Sequence, residues 1–185
     1  PALPRRNDGM VDNVLQSEQY LPYPLYHDSL IPIINRPGWN IRSIAVWARG
    51  WVNFLRSKAS NDHLPGTYLD ATPLNCAVTP DGEYVLFDQE WVIRTQRALP
   101  LHYIVFRSLL HSLNDFENVA PPEKHTPTRT VALATAVMSL LGLPLEAGML
   151  DDCLRLEQEF QNQATLRRPD KMEFTDRWLK IRPRA

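Results

Sequence analysis

Apolar residues recur three and four positions apart at Ile41, Ile44, Ala48, Trp51 and Leu55, the spacing that lines side chains up on one face of an α-helix. Asn40 stands just ahead of the run, where its side-chain oxygen suits an N-cap, so the pattern predicts a helix to about Ser57. Arg42, Arg49 and Arg56 are seven apart and share a face away from or flanking that stripe. A solvated face is the plain reading and a phosphate-contacting or interface stripe the sharper one. A shorter apolar run at 25–34, closed by Pro37-Gly38, predicts a short helix. Further helices are predicted at 101–113, with Pro100 suited to the first helical position, at 128–143, and at 145 to about 166. Gly142 and Pro144 separate the last two. A final amphipathic piece at 174–181, carrying Trp178 and Leu179, is expected to dock on the bundle.

The period changes between 74 and 88. Cys76-Ala77-Val78 and Tyr84-Val85-Leu86-Phe87 are short β-prone runs joined across Thr79-Pro80-Asp81-Gly82, which reads as a β-hairpin with a Pro-Asp-Gly turn. The polar, proline-bearing stretch at 114–127 reads as a loop, and no internal repeat is found. The expected class is therefore mainly α with a small β-hairpin. Residues 1–24 form a lead-in and hinge-like segment, and 25–185 a helical lobe with its hairpin at 74–88.

Composition narrows the partners. Twenty Lys and Arg against 21 Asp and Glu leave a net charge of -1, which gives nucleic acid no electrostatic footprint to bind. No apolar run is long enough to span a bilayer, so no transmembrane segment is expected. Cys76 and Cys153, distant and without a second pair, read as reduced thiols in a cytoplasmic protein. His63, His102, His111 and His125 lack metal spacing or a catalytic partner and read as surface or satisfied residues. No Gly-x-Ser-x-Gly elbow and no dinucleotide or methyl-donor Gly-rich fingerprint occurs.

The chemistry-bearing residues cluster at the hairpin. Asn75 follows Asp70 by five positions, and Asp88 follows Asn75 by thirteen. Phosphoryl transfer needs a carboxylate near the attacking hydroxyl and oxygen ligands that hold magnesium against the phosphates. A hairpin of this size would set Asn75 and Asp88 side by side. The spacing alone is a weak signal, since Asp8 and Asn13 repeat it, although Tyr26 occupies the place where a following Asp would fall. The same residues also suit a purely structural use, with Asp70 and Asp88 capping turns and Asn75 satisfying backbone groups.

Tyr68-Leu69-Asp70-Ala71-Thr72-Pro73-Leu74-Asn75 resembles the His-Gly-Asp-x-x-Pro-x-Asn loop of kinase-like phosphotransferases of the aminoglycoside and choline kinase type. Phe87-Asp88-Gln89-Glu90-Trp91 is similar to their metal-binding strand. The resemblance implies a protein-kinase-like C-terminal lobe. It implies Asp70 as catalytic base, Asn75 and Asp88 as magnesium ligands, and ATP and Mg2+ as cofactors. A narrower resemblance is to kinase-like modules joined to methyltransferases or glycosyltransferases in bacterial surface-polysaccharide assembly, through a Leu-Asp-x-x-Pro-x-Asn loop and an Asp-Gln-Glu-Trp strand. It implies a saccharide hydroxyl as acceptor.

Tyr68 replaces the family's His, and no Gly-rich loop or strand Lys paired with a helix Glu precedes Asp70. The stretch at 18–25 resembles a hinge into the C-terminal lobe. The expectation is thus a fragment whose nucleotide lobe is an upstream domain of the same polypeptide, with a small hydroxylated or saccharide acceptor. The alternative is a non-catalytic helical module that positions a neighbouring glycosyltransferase or methyltransferase domain or binds a partner. On either reading Trp91 is expected in the core and Glu90 in an ion pair or substrate contact.

Overall fold

The longest apolar periodicity folds as its spacing dictates. In the computed structural model, which describes residues 11–13, 22–89, 91–93, 98–164 and 176–183, helix α2 runs Ile41–Lys58 behind an N-capping Asn40. The Asn40 side chain accepts from the Ser43 amide at 3.0 Å, and the Ser43 hydroxyl accepts from the Asn40 amide at 3.1 Å. This reciprocal box satisfies two donors that a helix start leaves open. Ile44, Ala48, Trp51 and Leu55 are buried, and burial of such side chains contributes roughly 1.5–3 kcal/mol each. Arg42, Arg49 and Arg56 are exposed.

The short run ahead of α2 splits into a 3-10 turn, His27–Leu30, and helix α1, Ile31–Ile34. Helix α3, Leu101–Asn114, is buried on nearly every side, and Pro100 sits at its N-cap position rather than inside the first turn. Helix α4, Thr130–Leu140, lies against α2 and α3. It stops earlier than the apolar pattern suggests because Gly142 turns left-handed at φ +73. The Leu143 amide then reaches Met138 O at 3.0 Å and the Gly142 amide reaches Ser139 O at 3.3 Å, the double bond of a Schellman stop. Helix α5, Ala147–Ala164, packs on α3.

Among the described residues three small antiparallel pairings stand where one hairpin is expected. Strand β1 (Val11–Asn13) pairs with β5 (Trp91–Ile93), β2 (His63–Leu64) with β6 (Leu99–Pro100), and β3 (Cys76–Val78) with β4 (Tyr84–Leu86). Of these pairings β3·β4 is the local hairpin. It has Cys76 opposite Leu86, and Gly82 at φ +83 in its turn. Among the described residues the architecture is thus five helices with small antiparallel sheets. The segment at 176–183 docks in extended form rather than continuing the run of helices: Val119 bridges Ile181, and Arg129 bridges Trp178. Leu179 is buried, whereas Trp178 is 67% exposed with Arg129 over its ring. Most of the lead-in, the first half of the hinge-like 18–25, Glu90, the expected end of the last helix at 165–166, and Phe174 lie outside the described residues. No described helix is long and apolar enough to cross a membrane.

Candidate functional site

Asp70 is placed by a compact run of turns. A 3-10 turn over Gly66–Tyr68 leads in, the Ala71 amide returns to Tyr68 O at 3.1 Å, and the Thr72 amide closes on Asp70 O at 2.8 Å. Leu69 and Ala71 on either side are buried, so the carboxylate between them is carried on a loop anchored in the core. Pro73 then opens a second 3-10 turn, Pro73–Asn75, that delivers the chain into β3.

The hairpin brings its two ends together. The Phe87 amide donates to Asn75 O at 3.0 Å, extending the β3·β4 ladder by one bond. The Asn75 side chain sits at the centre: its Nδ2 donates to the backbone carbonyl of Asp70 at 3.2 Å and to that of Asp88 at 3.3 Å. The three residues singled out from the sequence therefore converge. Asp88 is exposed and holds a left-handed backbone at φ +51, a conformation Asp tolerates better than most residues. Beside it, Gln89 carries a buried Nε2 with no hydrogen-bond partner among the described residues.

Asp70 itself is only 6% exposed. Its Oδ2 accepts from the Trp91 amide at 3.1 Å, and its Oδ1 pairs with Arg107 Nη2 at 3.3 Å. Burial raises the Asp70 carboxyl above the usual range, and it outweighs the lowering effect of Arg107 and of the Trp91 N–H. Trp91, expected in the core, is half-buried and meets Phe160 edge-on.

The residues around Arg107 carry no signature in the sequence. Arg107 of α3 is 3% exposed. Its Nε donates to Leu69 O at 3.0 Å, its Nη1 pairs with Glu157 of α5, and its guanidinium stacks over Phe160 with 4.2 Å to the ring centroid. Glu157, fully buried, also accepts from the Tyr103 hydroxyl at 3.2 Å and from Gln161 Nε2 at 2.8 Å. His111 Nε2 lies 3.0 Å from the same carboxylate. Burial pushes the Glu157 carboxyl up, but Arg107 and His111 together overcome this and hold it well below the usual carboxylate range. His111 is thus a satisfied histidine. Ser108, next to Arg107, donates to Ala71 O at 3.2 Å. An arginine inside the apolar run at 103–110 was the only hint available; a buried cation has to be paired.

Both cysteines are free and buried, and burial pushes the Cys76 thiol up to about 12. Cavities of about 480 Å³ beside Trp39 and about 330 Å³ beside Trp178 share no lining residue with Asp70, Asn75 or Asp88. Among the described residues no three His, Cys, Asp or Glu form a ready-made metal cage. Magnesium, held through one or two carboxylates plus phosphates and water, does not require one. The donor set suits it: with Nδ2 committed to two carbonyls, Asn75 keeps Oδ1, the atom by which an amide ligates a cation. No family model, curated protein or solved structure matches the chain.

Proposed function

We propose that the chain is the C-terminal lobe of an ATP- and magnesium-dependent phosphotransferase acting on a small hydroxylated or saccharide acceptor. The observation that supports this reading is the Asn75 amide, which ties the backbone of Asp70 to that of Asp88 and so brings the three residues together at the open end of one hairpin. Asp70 would accept the acceptor's hydroxyl proton. Its raised carboxyl is a better proton acceptor than an ordinary aspartate, and Arg107 with the Trp91 amide fixes its orientation. Asn75 Oδ1 and the Asp88 carboxylate would hold Mg2+, which when bound neutralises charge on the phosphates. The orphaned Gln89 donor would suit a phosphate or sugar oxygen. The surface covering the nucleotide belongs, on this reading, to an upstream domain.

The test is ADP release by the full-length protein with Mg-ATP and a panel of saccharide and amino-alcohol acceptors. Asp70→Asn should lower kcat by about 10²- to 10⁴-fold, and Asp88→Asn should raise the magnesium requirement. Unchanged turnover in Asp70→Asn overturns the assignment of the base.

A second reading, a non-catalytic module that positions a neighbouring transferase domain or binds a partner, draws on the burial of Asp70 and the engagement of both its oxygens. On that reading the carboxylate is a tie between loop and helix, and the full-length protein neither binds nor turns over Mg-ATP.

A further inference from the structure

We propose that Arg107 is the positioning residue of the 69–75 loop, and that Glu157 on α5 aims it. Arg107 addresses that loop twice, at the Leu69 carbonyl through Nε and at Asp70 Oδ1 through Nη2, along one edge of a rigid plane. The plane is fixed from behind: Nη1 is held by Glu157 and the face by Phe160. Glu157 is in turn fixed by Tyr103, His111 and Gln161. A continuous set of polar contacts thus runs from α5 through α3 to the loop that carries Asp70.

Stability alone does not account for this design. A buried ion pair rarely stabilises more than apolar side chains filling the same volume, and α3 is otherwise lined with Ile104, Phe106 and Leu110. What an arginine adds is direction: five donors in one plane set the angle of a carbonyl and a carboxylate together, which a single ammonium cannot do. Tyr68, standing where the resembled loop carries His, has a half-buried ring packed on the core. Arg107 and Ser108 supply the polar support of the loop instead.

Arg107→Lys keeps the charge and removes the plane. Amide hydrogen exchange on the full-length protein reads the positioning without any assay of activity. The Trp91 amide, which bonds Asp70 Oδ2, and the Ala71 and Thr72 amides within the loop should exchange about tenfold faster, while α2 keeps its wild-type rates. Glu157→Gln, which keeps the shape of the pair, should move the same amides less, and it carries the test if the lysine variant does not fold. Unchanged loop exchange, or acceleration spread evenly over α2 and the loop, overturns the proposal. The kinetic arm rests on the phosphotransferase reading: kcat should fall about tenfold or more with KM for Mg-ATP within about twofold. A wild type without turnover defeats that reading and leaves the exchange measurement to decide the role of Arg107.

Discussion

The β3·β4 hairpin is held from two sides by different physics. On one side Tyr84 packs among Tyr26, Trp51 and Phe54, with ring centroids 5.0–6.1 Å apart. At the open end Asn75 binds the backbone of Asp70, and Arg107 and Glu157 stand behind Asp70. The aromatic side supplies non-directional burial, which tolerates small shifts of one ring against another. The polar side is directional and desolvated, so each group there has to keep its partner. The two sides divide the work: burial says where the hairpin lies, and the charged contacts set the angle at which Asp70 is presented.

The sharpest way to break this contrast is to remove one charge. Glu157→Ala leaves the Arg107 guanidinium buried with Asp70 as its remaining carboxylate partner and should cost about 3–5 kcal/mol in urea unfolding. Adding Arg107→Met should recover a large part of that loss, because the cost lies in the stranded charge rather than in lost volume. A double variant no more stable than the single one would show that packing, not charge, dominates the polar side.

Acid separates the two carboxylates of this bridge. Glu157, faced by Arg107, His111, Tyr103 and Gln161, has a folded pKa below its unfolded value. Its contribution is therefore present above about pH 4.5 and is lost as pH falls toward the folded value. Asp70 runs the other way. Its folded pKa is raised, so its contribution is present at acid pH and lost as pH rises through the folded value. Urea midpoints between pH 7 and pH 3 should fall less steeply for Glu157→Gln than for wild type, and more steeply for Asp70→Asn. Both variants shifting the profile in one direction would mean the two carboxylates do not occupy opposed environments.

Most of the helical frame and the hairpin turn were legible because their signals are local. Asn40 and the 3.6-residue spacing behind it announce α2, and Pro80-Asp81-Gly82 announces the hairpin turn, each within a few residues. The convergence of Asn75 with Asp88 followed from that turn. The polar bridge was not legible, since Arg107 and Glu157 are fifty residues apart and no spacing rule links them. His111, one helical turn after Arg107, looks unpartnered until α5 supplies the carboxylate. Strands β1, β2, β5 and β6 escaped for a related reason: two or three residues show no alternation, and their pairings are set by tertiary contact. The 176–183 segment carries an amphipathic pattern too short to choose a period, and backbone bonds to Val119 and Thr128 draw it out as a strap.

The smallest expected effect lies on the aromatic side. Trp51 is 1% exposed, yet its Nε1 is buried without a hydrogen-bond partner among the described residues. Trp51→Phe keeps a six-membered ring for contact with Tyr26, Phe54 and Tyr84 and deletes the orphaned donor. Lost ring volume destabilises through cavity formation, while removing an unsatisfied buried N–H recovers about 1–3 kcal/mol. The two terms oppose each other, so the net loss should stay below about 2 kcal/mol, well under that of Glu157→Ala, when urea midpoints are compared at neutral pH. A loss matching that of Glu157→Ala would mean the aromatic wall demands the same exact fit as the charged bridge. The division between a side that locates the hairpin and a side that aims Asp70 would then collapse.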